Sequence, residues 1–253
     1  MNTHSEATET TPRTRLDLPL EEVCFCVLDT ETTGFSPEVD RVVEAAGVHV
    51  SLKQGVLRHV SQLVNPQRPI PEDATATHGL RDEDVAQAGT LEAAMDLICQ
   101  RPFDAWVAHN AAFDFGFVSP GDTPVVCTLM LARRLWPELP EHKNQSLRAH
   151  WNLEVPEAEG LPAHRAEPDA LVTSALLCLE LKVLRERFPE ITTFGQFLEW
   201  LNTPQLLTLC PVGRKYRGKP WSEVPESYQI WILETFDSMD IDLRKTLHHH
   251  LGR

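Results

Sequence analysis

Two acidic residues follow a short apolar run near the start of the chain. The segment 27–34 reads VLDTETTG, with acids at Asp29 and Glu31. On a strand, residues i and i+2 point to the same face, so these two carboxylates would lie side by side. Their repulsion would raise their pKa values unless a cation relieved it, and paired carboxylate oxygens suit Mg²⁺ or Mn²⁺. The alternative is a pair of solvated acids in a turn after the strand.

A third carboxylate closes the segment AHNAAFD, residues 108–114. The segment follows a short apolar strand and opens an apparent helix, so Asp114 would project from the first turns toward the same edge of the sheet. The alternative is an ordinary helix start, with Asn110 as its cap and Asp114 in solvent. This segment alone favours the alternative.

The segment HRAEPDA, residues 164–170, adds a histidine and a fourth carboxylate. On one continuous helix His164 and Asp169 would lie roughly 140° apart and could not share a site. We expect Pro168 to start the helix late, which leaves His164 on the preceding loop, from where it can fold back. Asp169 would then stand in the first turn, where the helix dipole favours its ionised form. A lone histidine before a helix is usually just polar surface.

The four acids and the histidine lie in three segments, each beside the end of an element. Two divalent cations held by such carboxylates form a clamp for in-line phosphoryl transfer, because they stabilise both the attacking and the leaving oxygen. Histidine titrates near neutrality and suits removal of a proton from an attacking water. This combination is far more specific than any one segment, and it predicts metal-dependent phosphoryl transfer.

The elements around these segments predict an α/β domain with a mixed sheet, followed by a small, mainly helical module. We expect a flexible tail over residues 1–20, the main domain over 21–187 and the module over 188–253, where Trp221 and Trp231 would anchor a small core. The predicted strands are 22–28, 42–52, 56–64, 105–108 and 125–128. One predicted helix is capped by Thr90, and the others cover 129–136, 169–186, 192–201, 222–236 and 240–250.

Composition narrows the function classes. The formal net charge is −14, which excludes a protein that covers nucleic acid through positive charge alone. An enzyme that binds one strand end through bound metal is still compatible with this charge. The six cysteines form no CxxC pair, so we expect no zinc site and no disulfide. No apolar stretch approaches a membrane span, and the first twenty residues lack the apolar segment of a signal peptide. We therefore expect a cytoplasmic protein.

The segments DTETTG, HNAAFD and HRAEPDA resemble the three motifs of the DEDDh exonuclease superfamily, in the right order. The resemblance implies an RNase H-like fold with a mixed β-sheet flanked by helices, and hydrolysis from the 3′ end that releases nucleoside 5′-monophosphates. It implies two Mg²⁺ ions as cofactors, for which Mn²⁺ can substitute. Asp29, Glu31 and Asp169 would bind one metal, Asp29 would bridge to the second, Asp114 would reach the second largely through water, and His164 would be the general base.

Two further segments resemble the exodeoxyribonuclease X family. They are CTLMLARRLWPEL at 127–139 and VGRKYRGKPWSEVPESYQIWIL at 212–233. The second begins Val212-Gly213-Arg214, where that family usually has Phe-Gly-Lys. This departure puts in doubt what the small module contacts, and leaves the catalytic motifs untouched.

The resemblance also implies residues that contact the substrate. His78 lies in a segment that lines the cleft in this superfamily; the alternative is that this segment is a plain loop. Phe35 lies where relatives place a residue against the last base; the alternative is that its ring covers the edge of the core. The loop 214–219, RKYRGK, would clamp the DNA backbone, or else dock the two parts of the chain together. The substrate-binding set is Thr30, Thr32, Phe35, His78, His109 and Asn110, and the backbone contacts are Arg214, Lys215, Arg217 and Lys219.

The function predicted first is trimming of single- or double-stranded DNA 3′ ends, in DNA repair or end processing. An RNA 3′ exonuclease is the first alternative, because ribonuclease T and oligoribonuclease share the same five residues. The C-terminal module favours DNA, since those RNA enzymes lack it. The second alternative is a non-catalytic protein that associates with a polymerase or repair complex, and the complete set of five residues speaks against it.

Overall fold

A five-stranded mixed sheet forms the centre of the protein. The computed structural model describes residues 15–161, 164–236 and 239–253. The strands are β1 (Phe25–Thr32), β2 (Val42–Ser51), β3 (Gly55–Leu63), β4 (Ala105–Ala108) and β5 (Val125–Cys127). They lie in the order β3-β2-β1-β4-β5. β1, β2 and β3 form antiparallel pairs, whereas β4 and β5 run parallel to β1. The predicted mixed sheet is confirmed.

The central strand β1 is longer than its apolar run. Phe25, Val27 and Leu28 are fully buried, which matches a strand covered on both faces. Pairing with β2 continues past this run, since Asp29 lies opposite Ala46 and Glu31 opposite Glu44. The sequence predicts a strand end at residue 28, but the pairing carries it to Thr32. The first two acids therefore stand on the strand itself and not in a turn after it.

Helices cover the sheet and build the end of the chain. Thr90 caps one of them, because its hydroxyl accepts a hydrogen bond from the backbone N–H of Ala93 at 3.3 Å, as predicted. Among the described residues, no helix combines the length and the apolar character needed to cross a membrane. The helices are α1 (Glu72–His78), α2 (Asp82–Val85), α3 (Leu91–Ile98), α4 (Ala111–Phe117), α5 (Thr128–Leu135), α6 (Asn144–His150), α7 (Ala166–Arg187), α8 (Phe194–Asn202), α9 (Glu226–Thr235) and α10 (Ile241–His250).

The main core extends past the predicted domain boundary at residue 188. Phe194 and Phe197 of α8 are fully buried in the core that β1 and α7 share. The start of α8 also pairs with residues 18–20: the Leu20 N–H donates to the Thr192 carbonyl, and Leu20 is buried. The end of the predicted tail is therefore packed, while its first fourteen residues lie outside the described ranges.

A second, smaller core lies at the end of the chain and contains Leu207, Trp221, Ile232 and Leu247. Trp221 is buried there as predicted, but Trp231 is 44% exposed. A buried ion pair joins this module to α5: Arg134 forms two hydrogen bonds with the Asp242 carboxylate, one of them 2.8 Å, and both side chains are 1% exposed. A paired charge of this kind tolerates burial because each partner satisfies the other.

Candidate active site

Three carboxylates converge where α7 crosses β1. Asp29 and Glu31 point to one face of β1, and Asp169 comes from the first turns of α7, which packs on that strand. One oxygen from each of the three carboxylates lies within 4.8 Å of the others. Three carboxylate oxygens at this spacing form a donor set for a hard divalent cation.

Asp114 joins this group from α4. It is 3% exposed. Its Oδ1 accepts hydrogen bonds from the backbone N–H of Thr30 at 3.0 Å and from the Thr30 hydroxyl at 2.8 Å. Thr30 alternates with the two acids along β1, so the strand that presents Asp29 and Glu31 also holds Asp114 in place. The structure excludes the interpretation in which Asp114 is solvated.

Burial raises the pKa of each of the four acids, and repulsion between neighbouring carboxylates adds to this rise for Asp29 and Glu31. Desolvation, followed by the charges of Asp114, Asp169 and Glu31, holds the pKa of Asp29 well above its ordinary value. Desolvation, then Asp169 and Glu44, raises the pKa of Glu31 to about 8.

The other two acids keep partners that oppose the effect of burial. Desolvation raises the pKa of Asp114 to about 7 against the hydrogen bonds from Thr30. The pKa of Asp169 is raised by burial, and the hydrogen bond from Gln145 and the charge of His164 act in the opposite direction. Four acids in this state favour binding of cations, because a cation restores their ionised form.

His164 lies on the loop before α7 and is exposed, with a positive φ of 59°. This placement is the predicted one, but its cause differs. Helix α7 begins at Ala166, two residues before Pro168, whose missing N–H falls in the first turn, where no helical partner exists. The prediction that Pro168 starts the helix is wrong, although Asp169 still stands near its N-terminus.

A partly buried ion pair anchors the loop that carries His164, and the sequence analysis missed it. Glu44 of β2 is 3% exposed and accepts two hydrogen bonds from Arg165, from Nε at 2.7 Å and from Nη2 at 2.8 Å. The same carboxylate accepts the N–H of Ala166 at 3.1 Å, which caps α7, and the hydroxyl of Ser61 at 3.0 Å. Its only sequence signal is an acid inside the apolar run VVEAAGV.

The start of α6 supports Asp169, and this role too was missed. The side-chain amide of Gln145 donates to Asp169 Oδ1 at 2.6 Å. The amide of Asn144 donates to the Asp169 carbonyl at 3.2 Å and to the hydroxyl of Thr173 at 2.6 Å. Because α6 holds both the carboxylate and the backbone of Asp169, the position of this acid does not depend on a bound cation.

The predicted substrate residues fall into two groups. Phe35 is 87% exposed beside the site, 6.3 Å from Phe113 between ring centres, and Asn110 is exposed with a φ of 68°. These two side chains are accessible to a substrate, and Phe35 does not cover the core edge.

The other four predicted substrate residues have side chains that are buried or hydrogen-bonded within the protein. The Thr32 hydroxyl donates to the Gly34 carbonyl at 2.6 Å, and the Thr30 hydroxyl binds Asp114. His78 is 5% exposed, and burial lowers its pKa. His109 Nε2 donates to the His142 carbonyl at 2.9 Å, its Nδ1 lies 2.9 Å from the Thr128 hydroxyl, and burial lowers its pKa to about 4. Their side chains support the site from within.

The basic loop 214–219 divides into two pairs. Arg217 lies 3.4 Å from Glu141 of the main domain, and Lys219 lies 3.6 Å from Glu223. Within the three described ranges, Arg214 and Lys215 are exposed and have no ion-pair partner, although the ammonium of Lys215 lies 5.1 Å from the ring centre of Tyr216. The docking interpretation thus applies to Arg217 alone, and Arg214 and Lys215 remain accessible.

Comparison with known proteins identifies the family. Residues 26–177 match the family model RNase_T, described as Exonuclease. The chain belongs to this exonuclease family. Exodeoxyribonuclease 10 of Escherichia coli (strain K12) is 35% identical to this exonuclease over 229 residues, which cover 89% of the chain and 97% of that protein. A DNA polymerase III PolC-type protein of Bacillus subtilis (strain 168) is 32% identical over 184 residues, 66% of this chain but 12% of that protein.

Solved structures agree with this assignment. Exonuclease X in complex with 5′ overhanging duplex DNA superposes with a TM-score of 0.57 at 34% identity, over 62% of this exonuclease and 91% of that chain. Escherichia coli Exonuclease I in complex with a dT13 oligonucleotide has a TM-score of 0.56 at 16% identity, over 67% of this chain and 43% of that chain. This likeness concerns the fold alone. The predictions of the RNase H-like fold, of the DEDDh superfamily and of a 3′–5′ exonuclease are confirmed.

Proposed function

We propose that this exonuclease removes nucleotides from DNA 3′ ends with two bound divalent cations, Mg²⁺ or Mn²⁺, and releases nucleoside 5′-monophosphates. The observation that carries the proposal is the convergence of Asp29, Glu31 and Asp169 within 4.8 Å, with Asp114 close enough to raise the pKa of Asp29. A pair of cations, when bound there, would stabilise the charge on the attacking and leaving oxygens of the phosphodiester.

The acids fit such cations by their chemistry. All are carboxylates, and their raised pKa values mean that they release protons when a cation binds. Asp29, Glu31 and Asp169 would hold one ion, and Asp29 with Asp114 would hold the second. Solvated, independent acids would have ordinary pKa values.

The remaining residues orient the reaction. His164 would accept a proton from the attacking water at an imidazole nitrogen, and the ion pair between Arg165 and Glu44 would keep its loop against β2. Phe35, the exposed ring beside the site, would stack on the terminal base, which tolerates any sequence because every base has a π face.

DNA is the proposed substrate because the relative that this chain covers almost fully is an exodeoxyribonuclease, and because Exonuclease X, 34% identical in its solved structure, is bound to duplex DNA. RNA is the competing substrate. Association with a polymerase or repair complex, a role in DNA repair or end trimming, and a cytoplasmic location stay predictions; the match to PolC-type proteins covers 12% of their length.

A nuclease assay tests the proposal. Single-stranded DNA and RNA of equal length and sequence, labelled at the 5′ end, would be incubated with the wild type, Asp29→Asn and the control Glu190→Gln, an exposed acid beyond α7. We expect progressive shortening from the 3′ end for the wild type and Glu190→Gln, and none for Asp29→Asn. Activity should vanish with chelator, return with Mg²⁺ or Mn²⁺, and be lost in Ca²⁺.

Three outcomes would count against the proposal. Faster trimming of RNA than of DNA would assign the enzyme to RNA. Full activity of Asp29→Asn, or activity that survives exhaustive chelation, would remove the metal mechanism. A wild type that forms a stable complex with a polymerase, yet shows no metal-dependent cleavage, would favour the non-catalytic alternative.

A further inference from the structure

Four aromatic rings follow one another across the surface of the C-terminal module; we call them the aromatic row. Tyr216 lies 4.7 Å from Tyr228, Tyr228 lies 5.1 Å from Trp231, and Trp231 lies 5.8 Å from Phe236, measured between ring centres. Trp231 is 44% exposed and Phe236 is 38% exposed. Tyr216 and Tyr228 are partly buried against the core of the module. A row of large aromatic side chains that stays partly open to solvent indicates a binding surface.

The backbone holds the row in place. Tyr228 and Trp231 are three residues apart on α9, so they lie on the same side of the helix. The tip of Tyr228 rests on Gly213, where a Cβ would overlap the tyrosine hydroxyl, and Gly213 has a positive φ of 76°. Only glycine accepts both the close approach and this backbone conformation without strain.

The two unpaired cations of the basic loop stand at one end of the row. Lys215 lies 5.1 Å from the ring centre of Tyr216, and Arg214 is its exposed neighbour. Both lack an ion-pair partner within the described ranges, whereas Arg217 and Lys219 contact acids. In a chain of net charge −14, two cations without an ion-pair partner in the described ranges, beside a partly exposed row of rings, indicate a polyanionic partner that also offers flat apolar surfaces.

The other end of the row leads toward the active site. Phe236 lines a cavity of about 310 Å³ that is also lined by Asn110 and Leu129. Asn110 immediately precedes α4, the helix that carries Asp114. A chain bound along the row could therefore continue through this cavity toward the four acids.

We propose that the aromatic row binds the single-stranded part of a nucleic-acid substrate, with bases stacked on Trp231 and its neighbours and phosphates facing Arg214 and Lys215. Aromatic platforms beside basic groups bind single strands without sequence preference, since stacking uses the π face common to all bases. The inference rests on the proposed function for its 3′ end. Tyrosine and tryptophan also anchor protein interfaces, but unpaired cations favour the nucleic acid.

Binding of a fluorescein-labelled oligo-dT 20-mer, followed by anisotropy in chelator, tests the proposal. Without metal the active site lacks the cations that would hold a phosphate, so affinity reports mainly on surfaces elsewhere. We expect Trp231→Leu to weaken binding roughly tenfold, the order of one lost base stack, and Trp231→Phe to stay near wild type. The control is Trp151→Leu, at a 38% exposed tryptophan of the main domain.

Salt dependence separates the two halves of the basic loop. We expect the double change of Arg214 and Lys215 to glutamine to flatten the slope of log affinity against log salt by about 1.4, the release expected for two phosphate contacts on a single strand. The same double change at Arg217 and Lys219 should leave the slope nearly unchanged, because these side chains already contact acids.

Hydrolysis of a dinucleotide in Mg²⁺ keeps this proposal apart from the nuclease proposal. A dinucleotide fills only the cleavage site, so Trp231→Leu should cleave it at the wild-type rate while binding the 20-mer less tightly. If Trp231→Leu binds the 20-mer as tightly as the wild type does, the proposal is overturned and the aromatic row is better explained as a site for a protein partner. If the wild type shows no cleavage, and Trp231→Leu nevertheless binds the 20-mer less tightly than the wild type, the nuclease proposal fails while the proposed binding surface is supported.

Discussion

Replacing Glu31 with glutamine should stabilise the protein in the absence of metal while it abolishes cleavage. Glu31 pairs on β1 with Glu44 of β2 and faces Asp29 and Asp169, and burial with this repulsion raises its pKa from 4.5 to about 8. A glutamine has nearly the same shape and cannot ionise. The variant therefore keeps the packing and loses the repulsion.

The raised pKa also determines how stability depends on pH. A carboxyl whose pKa is higher in the folded state than in the unfolded state contributes most to stability at pH values below its unfolded pKa. This contribution is lost as the pH rises from about 4.5 to about 8. The whole shift corresponds to about 5 kcal/mol, and the solvent that reaches this partly buried side chain reduces it to about 2–3 kcal/mol. In a chain of this size that is roughly 5–10 °C in melting temperature.

Thermal unfolding in chelator at pH 5 and pH 8 measures this effect. We expect Glu31→Gln to melt several degrees above the wild type at pH 8, with a smaller difference at pH 5. Mg²⁺ should raise the melting temperature of the wild type more than that of the variant, because a cation that binds only the folded state stabilises it. Glu190→Gln serves as the control. Equal melting temperatures of wild type and Glu31→Gln at pH 8 would refute the reasoning, since the acids would then be solvated and independent.

Three further changes have defined outcomes. His164→Ala should lower the cleavage rate by roughly 10² to 10⁴, measured on end-labelled DNA. Glu44→Gln should weaken the contact with Arg165, reduce kcat more than KM and cost about 1–3 kcal/mol in urea unfolding. Glu180→Leu should raise the free energy of unfolding by about 1–3 kcal/mol at pH 8, because this fully buried carboxyl has no hydrogen-bond partner in the described structure and burial raises its pKa well above its ordinary value.

Each of these expectations has a contrary result. A full cleavage rate for His164→Ala across neutral pH would remove its role as general base. A Glu44→Gln enzyme with unchanged kcat would make the ion pair structural only. A loss of stability in Glu180→Leu would mean that the carboxyl has a partner that leucine cannot replace.

Local spacing predicted well how the acids of the three motifs are placed. The i, i+2 spacing of Asp29 and Glu31 determines that both point to one face of a strand, whatever the rest of the chain does. Neighbouring residues also indicated that His164 lies outside the helix, although α7 begins at Ala166 and not at Pro168. Such features depend on contacts within a few residues, which the sequence states directly.

The tertiary structure alone decided which distant residues support and surround those motifs. Glu44 and Arg165 are 121 residues apart, and Gln145 and Asp169 are 24 apart, so both pairs exist only because α7 packs on β1 and β2 and α6 packs on α7. The packing of α8 against the main core and the exposure of Trp231 have the same origin. A periodic pattern shows that a side chain is apolar or charged, but its burial and its partner depend on which other segment covers it, and that is decided by the packing of the whole chain.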